Sequence, residues 1–93
     1  MQIPDDAIEK LKDGYFLIVK EEKNITAWRF KNNELQNKVK HQSGETDWMT
    51  IKYLVLPTDA KYFLKKKYGV SLINLEYVHL NSFLLMTWHM VKF

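Results

Sequence analysis

The stretch between residues 15 and 40 consists of short strand-like runs separated by polar turns, and this pattern constrains the centre of the fold. Three runs in it have the composition of β-strands: residues 15–20, 25–31 and 34–40. A polar segment separates the first two runs, and Asn32-Asn33 separates the last two. Because asparagine tolerates a positive φ, an Asn-Asn pair suits a two-residue hairpin turn. We therefore predict an antiparallel meander of three strands.

The two turns, chosen independently, fix a register for this meander. We expect Lys20 to pair with Ile25, and Lys31 to pair with Glu34. One face of the sheet then collects the apolar side chains of Tyr15, Leu17, Val19, Trp28, Phe30, Leu35 and Val39. The opposite face collects a mainly basic set: Phe16, Ile18, Lys20, Ala27, Arg29, Lys31, Glu34, Gln36, Lys38 and Lys40. A slip of one residue would exchange the two faces, so their separation supports this register.

Helix and turn signals outside the meander complete an α+β domain. Acids followed by lysines predict a helix at residues 7–12, and an N-cap at Thr58 or Asp59 predicts a second at residues 60–68. The remaining segments are a polar loop at 41–47, a strand at 48–56 and a hairpin of 70–80 and 83–93. Residues 1–93 then form one domain of order α-β-β-β-β-α-β-β, with a bent antiparallel sheet or partial barrel and two short helices.

The length and composition of the chain limit the classes of protein to consider. Ninety-three residues are the size of a single domain, and 46% hydrophobic residues are enough for one core. The chain contains no cysteine, which excludes disulfides, thiol catalysis and cysteine-based zinc sites. Its N-terminal residues are charged, and no apolar run approaches the roughly 20 residues of a membrane span. We therefore expect a cytoplasmic protein with no membrane partner.

The charge of the chain is modest and unevenly distributed. The formal net charge is +3; residues 1–47 contain eight Lys and Arg against nine Asp and Glu, whereas residues 48–93 contain six against two. Arg29 is the only arginine, and arginine is the side chain that recognises phosphates and base edges in a bidentate manner. This usage weighs against a protein dedicated to reading a nucleic-acid sequence.

Two basic features are candidates for a binding surface. The denser one is the second helix, which contains Lys61, Tyr62, Lys65, Lys66 and Lys67. It is typical of a surface for phosphates or an acidic protein. The alternative is a solvated helix face whose lysines complement the helix dipole. The other feature is the basic sheet face: Lys20, Arg29, Lys31, Lys38, Lys40 and the ring of Phe16. Single-strand binders stack bases on such rings, but Phe16 is the only ring on that face.

The polar loop is a third candidate surface and contains the strongest hint of chemistry. Glu45 and Asp47 lie in it, and Trp48 follows, where it either anchors a protein interface or is buried in the core. His41 and Ser43 place a base and a nucleophile near these acids, but a working triad needs its members on separate rigid elements. The spacing of the three histidines matches no metal motif. We predict no catalytic residue, no metal site and no cofactor.

These features favour a protein-binding module over an enzyme. The size and composition resemble those of the small accessory proteins of phages and mobile elements that block a host enzyme. The resemblance implies a non-enzymatic regulator or inhibitor that docks on a host protein. The alternative is a nucleic-acid-binding domain that uses the basic sheet face and the lysine-rich helix. The apolar strand at residues 83–93 would also permit a homodimer through the C-terminal strand.

Overall fold

The computed structural model describes residues 3–51, 57–69 and 74–79. They form, in chain order, α1 (Ala7–Lys12), β1 (Tyr15–Lys20), β2 (Asn24–Lys31), β3 (Glu34–His41), β4 (Gly44–Glu45), β5 (Met49–Thr50), α2 (Pro57–Tyr68) and β6 (Asn74–His79). The strands make one open antiparallel sheet in the order β4-β3-β2-β1-β6, and β5 also pairs with β3. The predicted α+β class with two helices is confirmed.

The central meander has the predicted register. Lys20 lies opposite Ile25 in the β1–β2 ladder, and Lys31 lies opposite Glu34 in the β2–β3 ladder. The two asparagines between β2 and β3 have φ angles of 55° and 62°. Two successive positive φ values define the type I′ turn, whose twist matches that of the flanking strands. Local turn chemistry therefore sets the centre of the sheet.

β6 lies beside β1, on the side away from β2. The two strands are antiparallel, from Tyr15 opposite His79 to Lys20 opposite Asn74. β1 consequently has a neighbour on each side, and its inner side chains are buried on both faces of the sheet by two separate apolar clusters. The second strand of the predicted C-terminal hairpin, residues 83–93, and the homodimer contact expected there lie outside the described residues.

The edge strand beside β3 contains one extra residue. β4 places Glu45 opposite Lys40, and β5 places Met49 opposite Asn37. The three residues 46–48 therefore lie opposite only two residues of β3, which is a β-bulge. The loop predicted before Trp48 is thus a short reversal followed by a bulged edge strand. The strand predicted after it is observed over β5, and residues 52–56 lie outside the described part of the chain.

Both helices pack on one face of the sheet. The main core consists of Ile3, Ala7, Ile8, Leu11, Leu17, Val19, Trp28, Leu35, Ala60, Leu64 and Tyr68. Trp28 is fully buried, and its Nε1 donates a hydrogen bond of 2.8 Å to the hydroxyl of Tyr68. Gly14, with a φ of +92°, follows α1 and suits the end of the helix because glycine adopts a positive φ without strain. α2 begins at Pro57, earlier than predicted, because proline suits the first turn of a helix.

The second face of the sheet, opposite the helices, differs from the prediction. Its centre is a buried apolar cluster of Phe16, Ile18, Ile25 and Ala27, each at most 4% exposed. The half-buried side chains of Trp48 and Val78 pack against this cluster. The face that the sequence predicted to be mainly basic therefore has an apolar centre, and its charged side chains lie around that centre.

Candidate functional site

The outward side of α2 presents an exposed aromatic ring among lysines. Tyr62 is 69% exposed. Lys65 and Lys66 follow it by three and four residues, so they share its side of the helix, and both are exposed. Lys61 and Lys67 extend the same positive region. These five residues are called the α2 surface below.

The opposite side of α2 holds this surface in place. Ala60, Leu64 and Tyr68 recur every four residues and are at most 3% exposed. Burial raises the pKa of Tyr68 to about 12, while its hydrogen bonds with Trp28 and Thr26 act in the opposite direction. Tyr68 is therefore neutral at physiological pH and anchors the C-terminal turn of α2 in the core.

One acid of the N-terminal segment contacts the α2 surface. Lys65 Nζ donates a hydrogen bond to Asp5 Oδ1, and Lys61 Nζ lies 3.9 Å from the same oxygen. The hydrogen bond and charge of Lys65, together with the charge of Lys61, lower the pKa of Asp5. Solvent screens this exposed group, so the contact adds little stability. Within the described ranges no acid pairs with Lys66 or Lys67, so the α2 surface stays net positive.

On the second face of the sheet, acids lie next to the bases. Glu34 is directly across from Lys31, and Glu45 is directly across from Lys40. Such cross-strand neighbours attract each other. β6 adds Glu76 to the same face. The face contains more acids than the three-stranded meander predicts, because β4 and β6 add Glu45 and Glu76 to it.

Arg29 and Trp48 form a cluster of stacked and hydrogen-bonded side chains on this face. The guanidinium carbon of Arg29 lies 3.8 Å from the centroid of the Trp48 ring. Its Nε donates a hydrogen bond of 2.8 Å to Gln36 Oε1, and Gln36 Nε2 donates one of 3.1 Å to Thr50 Oγ1. Asp47 supplies a negative charge nearby. Trp48 is therefore half-buried against Arg29 and is not part of the main core.

The bulge is what turns Trp48 towards Arg29. Thr46 forms two hydrogen bonds with Val39. Its backbone N–H donates to the Val39 carbonyl at 2.8 Å, and its hydroxyl accepts from the Val39 N–H at 3.0 Å. Asp47 and Trp48 are left to share the position opposite Lys38, so both side chains project to the second face. The Trp48 N–H donates to Asp47 Oδ1 at 2.9 Å, which orders this turn.

The residues predicted for partner binding fall on two separate surfaces. Glu45, Asp47 and Trp48 lie on the second face of the sheet, whereas the α2 surface lies beyond the helices on the first face. Phe16 is 4% exposed and meets Trp48 edge to face at a centroid distance of 5.7 Å. It is therefore buried and does not offer an exposed ring for stacking. Lys20 and Lys38 are half-buried on that face.

The loop that hinted at chemistry is an exposed reversal. His41 lies opposite Gly44, and Ser43 is exposed between them. The described residues contain no group of three potential metal ligands among His, Asp and Glu. His79 packs edge to face on Tyr15 at 5.2 Å, and His89 lies outside the described residues. His41 ends β3, Glu45 lies in β4, and Ser43 lies in the turn that joins these two strands.

Comparison with protein-family models, with curated proteins and with solved structures finds no match to this chain. Neither α1 nor α2, the helices that the structure describes, has the length and apolar character of a membrane span.

Proposed function

We propose that this domain is a non-enzymatic protein-binding module, a small regulator or inhibitor, that docks on an acidic patch of another protein through the α2 surface. The observation that carries the proposal is Tyr62, which is 69% exposed between lysines. Tyrosine is enriched among the residues that dominate binding energy, because it buries a large rigid ring at a low cost in side-chain entropy.

The charge of the α2 surface defines the chemistry of the partner. Among the described residues, Asp5 forms ion pairs with Lys61 and Lys65 and leaves the surface with an excess of lysines, so a partner with complementary charge is acidic. The contact with Asp5 provides an internal example, because Lys61 and Lys65 both reach a single carboxylate oxygen. We expect docking in the cytoplasm, a reducing compartment in which a chain without cysteine folds unaided.

Nucleic-acid binding is the second candidate function. Its interface would be smaller than the combined sheet face and helix that the sequence suggests. The acids opposite Lys31 and Lys40 disfavour a phosphate backbone on the sheet, which leaves the lysines of α2 as its interface. Binding of this kind would weaken steeply with salt.

The proposal is tested by cross-linking from the α2 surface. A photoreactive amino acid at position 62, introduced in cells of the native source, is expected to capture one acidic protein, which is then purified. Affinities of that protein for the wild type, Tyr62→Ala and the double variant Lys65→Glu/Lys66→Glu are measured by calorimetry. We expect a loss of about 2 kcal/mol for each variant, which is roughly thirtyfold in affinity.

Matched controls separate docking from general charge. The double variant Lys12→Glu/Lys23→Glu makes the same charge change at exposed lysines outside α2 and should keep the affinity within about twofold. Equal losses in both double variants would contradict docking through α2. Tight binding of an oligonucleotide with a steep dependence on salt, and no protein captured from position 62, would favour the second candidate.

A further inference from the structure

Arg29 is held in a fixed orientation by two contacts on the second face of the sheet. Its guanidinium stacks on Trp48 at 3.8 Å, and its Nε donates to Gln36 at 2.8 Å. Stacking fixes the plane of the group, and the hydrogen bond fixes its rotation within that plane. The guanidinium is therefore oriented before any ligand arrives.

The residues that hold Arg29 are themselves held. The amide of Gln36 donates to Thr50 Oγ1 at 3.1 Å, which directs its carbonyl oxygen towards Arg29. The Trp48 ring meets the ring of Phe16 at an interplanar angle of 81°, and Phe16 is buried in the sheet. Contacts with β1, β3 and β5 thus support the guanidinium, and such support limits the entropy lost when a ligand binds.

The two η nitrogens of Arg29 carry four N–H groups besides the Nε–H that bonds to Gln36. In the part of the chain that the structure describes, no acceptor bonds to them. Burial lowers the pKa of Arg29, and the charge of Asp47 acts in the opposite direction. The cation is partly withdrawn from water, so an oxyanion that meets it gains more than it would at a fully exposed arginine.

We propose that Arg29 is a binding site for a single carboxylate of a protein partner, from an acidic side chain or a C-terminus. A carboxylate is planar and accepts two parallel hydrogen bonds from the fork of a guanidinium. Asp47 acts on the guanidinium through its charge, and Glu34 lies on the same face next to Gln36 along the sheet, so these carboxylates repel a chain of phosphates. One carboxylate on an apolar partner surface is compatible with these neighbours, and Trp48 then packs on its carbon atoms.

The site is separate from the α2 surface. Arg29 follows Trp28 in β2, and Trp28 is buried beneath α2, so the two side chains project to opposite faces of the sheet. The inference therefore does not rest on docking through α2. It adds a second, chemically distinct contact. This contact would be used by a partner that covers both faces of the sheet or by a different partner.

A nuclear magnetic resonance titration tests the site directly. Because the chain has one arginine, its Nε–Hε pair gives one side-chain signal that needs no further assignment. The wild type is titrated with the blocked peptide acetyl-Ala-Glu-Ala-amide, which has one carboxylate, and with its glutamine counterpart. We expect a saturating shift of the arginine signal and of the Trp48 indole signal with the glutamate peptide, and roughly tenfold weaker binding of the glutamine peptide.

Variants assign the effect to the guanidinium. Arg29→Lys keeps the charge without the fork and should weaken glutamate-peptide binding by roughly tenfold, read from the Trp48 indole signal. Lys31→Gln, an exposed neighbour on the same face, should keep the affinity within about twofold. Tyr62→Ala should leave the arginine shift unchanged, which separates this site from the α2 surface.

Three results would overturn the proposal. The first is equal binding of the two peptides to the wild type. This comparison tests the need for a carboxylate even where Arg29→Lys fails to fold. The second is unchanged affinity in a folded Arg29→Lys variant, judged by its melting curve. The third is saturation by inorganic phosphate or an oligothymidylate at a lower concentration than by the glutamate peptide, which would assign the site to phosphate.

Discussion

The α2 surface and the second face of the sheet each contain four lysines, but they differ in what lies beside them. In the helix, the neighbours of Tyr62 are residues three and four positions away, so a run of lysines in the sequence remains a run in space. In the sheet, the neighbours of a residue come from other strands, which bring Glu34 and Glu45 opposite lysines. The charge of a helix face can thus be judged from one segment, whereas the charge of a sheet face depends on every strand that joins it.

The largest expected effect concerns the contact that keeps α2 on the sheet. Leu64 is 0% exposed in the main core, and truncation of such a leucine costs about 2–5 kcal/mol. Leu64→Ala should therefore lower the free energy of unfolding by that amount in urea denaturation. Lys66→Ala, two residues later on the exposed side, should change it by less than about 0.5 kcal/mol. Similar losses for both variants would contradict the division of α2 into a buried and a binding side.

The next effect concerns Tyr68, which ties α2 to Trp28. Its folded pKa of about 12 exceeds the reference value of 10.0, so the folded state holds the phenol proton more tightly. This stabilisation is complete below pH 10 and is lost as the pH rises through about 12. The shift corresponds to about 2–3 kcal/mol. The free energy of unfolding of the wild type, measured by denaturation at increasing pH, should fall by that amount.

Tyr68→Phe should remove much of this alkaline loss, and at pH 7 it should cost about 1–3 kcal/mol because the buried Trp28 N–H loses its acceptor. Tyr62→Phe, on the exposed side of the same helix, should leave the free energy of unfolding at pH 7 unchanged. If Tyr68→Phe shows the full alkaline loss of the wild type, the burial of Tyr68 is not its cause.

A smaller effect is expected from substitutions that remove acids from the sheet face and so make its charge similar to that of the α2 surface. Removing the carboxylates opposite Lys31 and Lys40 with Glu34→Gln/Glu45→Gln should leave the sheet face basic. Affinity for a single-stranded oligonucleotide at low salt should then rise roughly tenfold, with a salt slope steeper by about 1.5, as two added phosphate contacts require. Glu9→Gln/Glu22→Gln changes the same charge at exposed acids elsewhere. An equal gain in affinity in that control would mean that the net charge of the protein, and not cross-strand pairing, determines oligonucleotide binding.

The smallest effect is expected at Asp5, which contacts the α2 surface from outside. Asp5→Asn should change the free energy of unfolding by no more than about 0.5 kcal/mol, because the pair is exposed and screened. It should raise the affinity for an acidic partner by roughly two- to threefold, since Lys61 and Lys65 lose a competing carboxylate. Asp13→Asn, at the other end of α1, is the matched control. A weaker affinity after Asp5→Asn would show that Asp5 orders the surface and does not compete with the partner.

The parts of the fold that depend on neighbouring residues were predictable from the sequence. The Asn32-Asn33 turn fixes the register of β2 on β3, and the spacing of Ala60, Leu64 and Tyr68 gives the buried side of α2. The lysines of the α2 surface follow from the same helical spacing. In each case the chemistry of a few adjacent residues determines the local geometry.

The parts that depend on distant residues were not predictable. No local signal places β6 beside β1, so the sequence does not predict that the acid of β6 joins the second face of the sheet. The stacking of Trp48 on Arg29 depends on the bulge, in which three residues of the edge strand lie opposite two residues of β3. The sequence of either strand alone does not reveal this mismatch. The contact by which Asp47 orders the bulge, its acceptance of the Trp48 N–H, is likewise not predictable from the sequence.

The bulge also bears on whether copies of this chain can aggregate. A regular edge strand presents an even row of N–H and C=O groups on which another chain can build a fibre. At residues 46–48 that row is interrupted, and the exposed carboxylates of Glu45 and Asp47 lie beside the interruption. A strand arriving there would lose hydrogen bonds and would have to desolvate charge. The extra residue that turns Trp48 towards Arg29 therefore also protects this side of the sheet when the protein is concentrated.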